Sequence, residues 1–396
     1  MRALPELTEY SMSKVDLSQF TFKGLERPVI EDLRTMSAAD KEQLIMSGVD
    51  VDETDRSASF LHMDHSNVHC ESNDPNVEIL DIKKALAKYD GLPDYFWKLI
   101  DKDKDEFTRA AAENLHGGYF IRTKKGVKIE KPVQSCLFIK ADKAGQNVHN
   151  IVVVEEDSEV HIITGCLVAD SHNAGAHLGI SEFYVKKGGK LTFTMIHNWG
   201  ENVTVRPRSF GLVEEGGAYL SNYVLMKPVK DLQMYPTIRL AGRGAVARFN
   251  SVVVAPEGSH LNMGNRVIMD APETRAEIIS RTITTGGTLI VPGHIQANAV
   301  PARGHLECKG LILGKGVIHA IPELEGRVAG VELSHEAAVG KIAQEEIEYL
   351  MARGMDEEEA TSTIVRGFLN VEIMGLPAKL QETIQKTIAE SEKDMF

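Results

Sequence analysis

The sequence predicts a mainly β fold, a parallel β-helix core flanked by helical N- and C-terminal segments. Three observations carry that expectation. Between about Ile121 and Val331, runs of four to six Val, Ile, Leu, Phe and Thr residues are broken by Gly, Asn and Asp turns, with no convincing helical pattern. The runs repeat: strand starts at Ser158, Gly189, Gly217, Gly244, Thr274 and Gly304 are spaced 31, 28, 27, 30 and 30 residues apart. Outside this stretch the apolar period changes to that of a helix.

The first segment, residues 1–115, mixes helical and irregular patterns. Ser37 can cap a helix that carries acidic Asp40 in its first turn and stops at Gly48. A second helix is expected over Ile79–Tyr89, and a third after Pro93 with Phe96 and Ile100 on one face. The core is expected over 116–333. Two residues after each start stand Val160, Leu191, Tyr219, Val246, Ala276 and Leu306, all apolar or aromatic, and further starts at Gly175, Gly258 and Gly287 fall roughly midway. A period near 30 with a half-period near 15 suits coils of two or three short strands, each stacked ~4.8 Å above its counterpart. Propeller blades are longer, ~40–50 residues, and no six-residue repeat is visible. The segment 334–396 reads as helical. Ala343–Arg353 places Ile347, Leu350 and Met351 on one face and ends at Gly354. Asp356 and Glu359 form a capping box for a helix carrying Ile364, Phe368 and Leu369, and Pro377 opens a last one. A β-helix interior has no room for these helices, so they are expected to cap its end or to offer an apolar face to another chain.

Composition narrows the function. The 396-residue chain carries 57 acidic and 44 basic side chains, a net charge of −13, and no concentrated basic patch, which argues against nucleic acid. No apolar run approaches the ~18–20 residues of a membrane span. The start, MRALPELTEYSMSK, lacks the apolar core of a signal peptide, so a cytoplasmic protein is expected. Its four cysteines, Cys70, Cys136, Cys166 and Cys308, are scattered and form no CxxC, the usage of reduced thiols. Each alone reads as a small buried hydrophobe.

The richest stretch is RGHLECKGLILGKGVIHAIPELEGRVAGVELSHEAAVG, Arg303–Gly340, with Cys308, His319, His335 and Glu336. Thiol, imidazole and carboxylate are the main classes of transition-metal ligand. Leu306 and Cys308 share a strand face, so Cys308 points where the apolar residues point; the alternative is a core cysteine beside a polar strand-to-helix junction. A second set, His62, His65, His69 and Cys70 in HMDHSNVHC, has a spacing that could wrap zinc, although histidines are common at polar turns. Asp101–Asp105 imitates an EF-hand start but has Glu106 where glycine is required. No GxxxxGK[ST] is present, so the chain is expected to have no ATP site of its own.

Several pieces together resemble the SufB/SufD family of iron–sulfur cluster assembly scaffolds. They are Glu307–Cys308 with Gly314, Ala320–Glu323, the SHEA block Ser334–Ile342, and Glu345–Gly354. Thr164-Gly165-Cys166 and His197-Asn198-Trp199 lie upstream in matching order, and Glu336 beside His335 is similar to SufB, whereas SufD-type chains usually have Gly after that His. The resemblance covers roughly residues 120–370. It implies a right-handed parallel β-helix, pairing with a second SufB/SufD-like chain through the end of the β-helix, and C-terminal helices that dock a SufC-like ABC-type ATPase. It further implies a transient iron–sulfur cluster, of the 4Fe–4S type, passed on to recipient apo-proteins. Cys308 matches the interface cysteine, Glu336 the acidic cluster ligand, His335 its imidazole neighbour and Cys166 an interior sulfur acceptor. Cys308 and Glu336 on one chain favour a homodimer. The family's Arg and Asn ahead of Cys166 are here Phe138 and Lys140. The expectation is therefore a scaffold rather than an enzyme, set against a cytoplasmic β-helix adaptor with an inert Cys308 and a β-helix carbohydrate-active enzyme. The last would need paired carboxylates along a groove, and no repeated Asp column is present.

Overall fold

The computed structural model describes residues 14–49, 51, 56–169 and 173–369. It is mostly strand, wound into a parallel β-solenoid of about eight turns, with helices toward both termini. Two sheets face each other across the interior. One runs from Ser66–Ser72 through Ala58–Met63, Val133–Ile139 and Glu159–Val168 to Ala302–Ile312 and finally Glu332–Gly340. The other includes Gly175–Val185, Thr288–Ala297 and Val317–Gly326.

The coils close at stacked turns. Asp157, Gly188, Gly216 and Gly244 take positive φ, a backbone state that glycine enters at little cost and aspartate tolerates. Each turn also donates its N–H to the next: Gly126 to Glu156, Asp157 to Lys187, Gly188 to Glu215, Gly216 to Arg243 and Gly244 to Pro272. From each turn a strand sends alternate side chains inward, where they stack coil upon coil. One inward column is Val160, Leu191, Tyr219, Ala247, Ala276, Gly304 and Leu333. This corrects the expected column at two places. Val246 sits one residue off register and is half-buried, with Ala247 taking its place; Leu306 lies two residues further along, on the same inward face. The reason is the period of two along a strand: a slip of one residue turns a side chain outward, a slip of two does not.

The ends depart further from expectation. Strand pairing begins at Ala58–Met63, well inside the segment read as helical and mixed. Residues 79–81 belong to a strand, Val77–Asp81, and only Ile82–Lys88 is helical, because Asp81 accepts from Lys83 and Lys84 N–H and so caps there. The stretch after Pro93 is a series of turns, and the next helix, Glu106–Glu113, starts from Asp105 in a capping box. The Ser37 cap and the Asp356–Glu359 box form as expected. Ser334–Gly340, however, is strand rather than helix, and the C-terminal helices among the described residues are Gln344–Met351 and Glu357–Leu369. The second of them does not cap the solenoid. Val365 and Leu369 pack on outward-facing Ile163, Ile196, Val224, Val252, Val254 and Ile283, so the second helix lies along the flank. Each aliphatic side chain buried there contributes ~1.5–3 kcal/mol. The helix expected at Pro377 lies outside the described residues. No helix among those described is long and apolar enough to cross a membrane.

Candidate functional site

Cys308 lies on Ala302–Ile312, whose exposure alternates strictly along its first nine residues because even-numbered side chains face the interior. Its neighbours in the column are Ser280 one coil behind and Ala337 one coil ahead. It is 3% exposed. Burial, helped by the adjacent Glu307 carboxylate, pushes its thiol up to about 11, so at neutral pH the sulfur carries its proton.

The last coil begins immediately beyond. His335 lies opposite Leu306 and shares the inward face with Cys308, yet it is exposed because no coil follows among the described residues. Glu336 lies opposite Glu307 and faces outward. Its carboxylate is 3.0 Å from Lys309 Nζ, which also approaches Glu307 at 3.4 Å, and Glu307 is ion-paired in turn to Arg281. Within one chain, then, Cys308 and His335 are brought to one side of the sheet and Glu336 to the other. His319 is exposed on Val317–Gly326 in the opposite sheet, opposite Ile290. Among the described residues no three His, Cys, Asp or Glu side chains converge to hold a metal ion.

Two strands end the solenoid, and each has one free edge among the described residues. Glu332–Gly340 pairs with Ala302–Ile312, and Val317–Gly326 with Thr288–Ala297. Val317 is 55% and Val339 41% exposed. Open edges flanked by apolar side chains are templates for another chain.

Cys166 is fully buried and inward-facing, between Leu137 and His197 in its column, and burial raises its thiol strongly. Five strand steps separate it from the Cys308 strand, ~24 Å at the sheet spacing. Polar groups line that interval: His197, already marked by the His197-Asn198-Trp199 motif, is joined at 2.8 Å to Tyr223, and Tyr223 is followed in the Cys308 column by Ser251 and Ser280, three groups the sequence did not single out. Only the parity of their positions could have revealed them. Phe138 and Lys140 play no part in the interior. Phe138 packs outward under the N-terminal segment, and Lys140 pairs with Asp40 at 2.6 Å.

The zinc reading of HMDHSNVHC is corrected. His62 Nε2 hydrogen-bonds Asp64 O, His65 Nε2 Gly145 O, and His69 bridges Ser59 Oγ and Ile30 O, while the Cys70 thiol donates to Ile79 O. A two-strand hairpin splays these side chains apart, and each is taken up by backbone or hydroxyl groups.

Comparison with known proteins places the chain in one family. Residues 137–368 match the family model described as SUF system FeS cluster assembly, SufBD core domain. The chain is 52% identical over 360 residues to an iron-sulfur cluster assembly SufBD family protein of Archaeoglobus fulgidus, covering 90% of this chain and 96% of that one. It is 43% identical to a protein of the same description from Methanothermobacter thermautotrophicus, over 90% of this chain and 88% of the other. To the iron-sulfur cluster assembly protein SufB of Bacillus subtilis it is 32% identical, covering 78% of this chain and 67% of that one.

Proposed function

The chain belongs to the SufBD family of SUF-system iron–sulfur cluster assembly proteins, and from that premise we propose that it is a SufB-like scaffold completing its site between two chains. The observation that carries this reading is the uncovered end of the solenoid. There Cys308 sits one coil behind a strand whose inward side chains, His335 among them, have no further coil beyond them among the described residues.

One thiol per chain cannot hold a cluster whose stable forms take four ligands. Two copies joined at the open edges would supply two Cys308 thiolates together with imidazole or carboxylate groups. Such harder ligands hold iron less firmly than thiolate does, which suits a product that must be handed to recipient apo-proteins. Because Cys308 and Glu336 face opposite sides of the sheet in one chain, a cluster bound by both takes them from different chains, or after the terminal strand turns. Binding to iron removes the Cys308 proton, which a thiol held near 11 does not lose at neutral pH alone. Between Cys166 and Cys308 the interior line is polar but, among the described residues, holds no further thiol, so a persulfide formed on Cys166 has no covalent relay to Cys308. With no P-loop in the sequence, ATP hydrolysis falls to a SufC-like ABC-type ATPase. Helix Gln344–Met351, which leaves Tyr349 55% and Met351 41% exposed, is the docking element. The protein works in the cytoplasm and catalyses no reaction by itself.

Anaerobic reconstitution with iron and sulfide tests the scaffold. The unaltered protein is expected to develop visible charge-transfer absorption, and Cys308→Ala and Glu336→Ala proteins with unchanged melting are expected to lose most of it. Full absorption in both variants would leave Cys308 inert and the chain an adaptor.

A further inference from the structure

The two sheets do not fill the whole interior. A cavity of about 30 Å³ remains between Met195 and His197 of one sheet and Asn150, His177, Ser181 and Met234 of the other. No charged side chain lines it, and Pro207, Ser209 and Pro236, all half-buried, form its outer wall.

The hydrogen bonds around it fix the state of one imidazole. Gln146 Nε2 donates to Asp64 O and Phe138 O, so its Oε1 must be the acceptor, and His177 Nδ1–H donates to it at 3.0 Å. The proton is thus on Nδ1, and Nε2 keeps a lone pair. His177 is 3% exposed, and its Nε2 has no hydrogen-bond partner among the described residues. That atom is aimed at Gly179, itself on the cavity wall, where an added Cβ would lie 2.8 Å away. His197 is tied through Nδ1 to the Tyr223 hydroxyl at 2.8 Å, leaving its Nε2 without a partner among the described residues. Met195 faces inward yet is only half-buried.

We propose that this cavity binds a single copper(I) ion through the thioethers of Met195 and Met234 and the imidazoles of His177 and His197. Thioether and imidazole are soft to borderline donors, the set that selects Cu(I) over the hard divalent ions. A wall without a carboxylate favours a monovalent ion, since an uncompensated divalent charge costs far more to bury. The cavity is roomy enough for a single ion. The inference does not depend on the cluster-assembly reading, because none of these four side chains is a proposed cluster ligand.

The test is a Cu(I) titration of the full chain under anaerobic conditions against a chromophoric Cu(I) chelator, with X-ray absorption on the loaded protein. One ion per chain with mixed sulfur and nitrogen neighbours is expected. The paired Met195→Leu and Met234→Leu substitutions, which nearly conserve volume, should weaken binding at least tenfold, as should His177→Gln, while Cys166→Ser with Cys308→Ser leaves this ion in place. Thermal melting confirms that each variant is folded. The assignment is overturned if the leucine and glutamine variants bind as the unaltered protein does. It is equally overturned if copper is lost only with the cysteines, or if the cavity holds water and no copper.

Discussion

The two ends of the solenoid use the same residue types to opposite effect. At the N-terminal end the first parallel strand, Ala58–Met63, is covered by the antiparallel strand Ser66–Ser72 and wrapped by the chain before it. Thr21 and Gly145 exchange backbone hydrogen bonds with their surroundings, Ile30 N–H reaches Val68 O at 2.7 Å, and the histidines of HMDHSNVHC fasten the wrap. At the C-terminal end strands Val317–Gly326 and Glu332–Gly340 are bare on one edge among the described residues, and their imidazoles and carboxylates are largely exposed. A histidine-rich motif at a covered end is thus structural, while Cys308 lies one coil behind an open end. Coverage of the sheet edge, rather than the richness of the motif, separates the two.

The largest expected effect tests whether the closed end is held by buried polar groups. Asp64, fully buried, accepts from Arg27 Nε at 2.7 Å and from the N–H groups of Lys140 and Ala141. Removing it in Asp64→Ala strands all three and should destabilise the protein by ~3–5 kcal/mol in urea unfolding. A loss under ~1 kcal/mol would contradict that account of the closed end.

Next comes acidification. Burial, as the first cause, lowers His62 to about 3 and His116 to about 4, and His116 Nε2 bonds Phe22 O in the wrap. In the unfolded chain these imidazoles protonate near 6.5, before the folded ones do, so their contribution is present above that pH and is lost as pH falls from about 6.5 toward 4. Hydrogen exchange should show Ala58–Met63 opening earlier than Ala302–Ile312 as pH drops. Earlier opening of the Cys308 strand would reverse the comparison.

The smallest effect sharpens the open end. Val339→Lys places a charge on an exposed inward position of the last coil. It is expected to weaken pairing of two chains about tenfold, ~1.4 kcal/mol, with the melting of the single chain shifted by no more than ~0.5 kcal/mol. Sedimentation at graded concentrations measures both states, and unchanged pairing would place the interface elsewhere.

Much of this architecture was legible beforehand, and the misses share a cause. The repeat, the inward direction of Cys308 and the Ser37 and Asp356 caps follow from local chemistry: turn residues, alternation within one strand, and side chains reaching their own backbone. Val246 falls outside the inward column because register between coils depends on turn length, which varies by a residue. The SHEA block is strand although Ala337, Ala338 and Glu336 favour helix, because the ladder with Arg303–Leu311 overrides that preference. The docking of Val365 and Leu369 on the flank was hidden because the outward stripe that receives them comes from separate coils.

By itself the sequence determined that the chain coils about every 30 residues, that Cys308 turns inward, and which family it belongs to, since each of these is written in spacing or in contiguous motifs. Only the tertiary structure decided that Glu336 faces away from Cys308, that the His62–Cys70 cluster is dispersed, and that Met195, His197, His177 and Met234 share one cavity. Such facts depend on how distant strands are set against one another, where a shift of a single residue exchanges the interior for the surface.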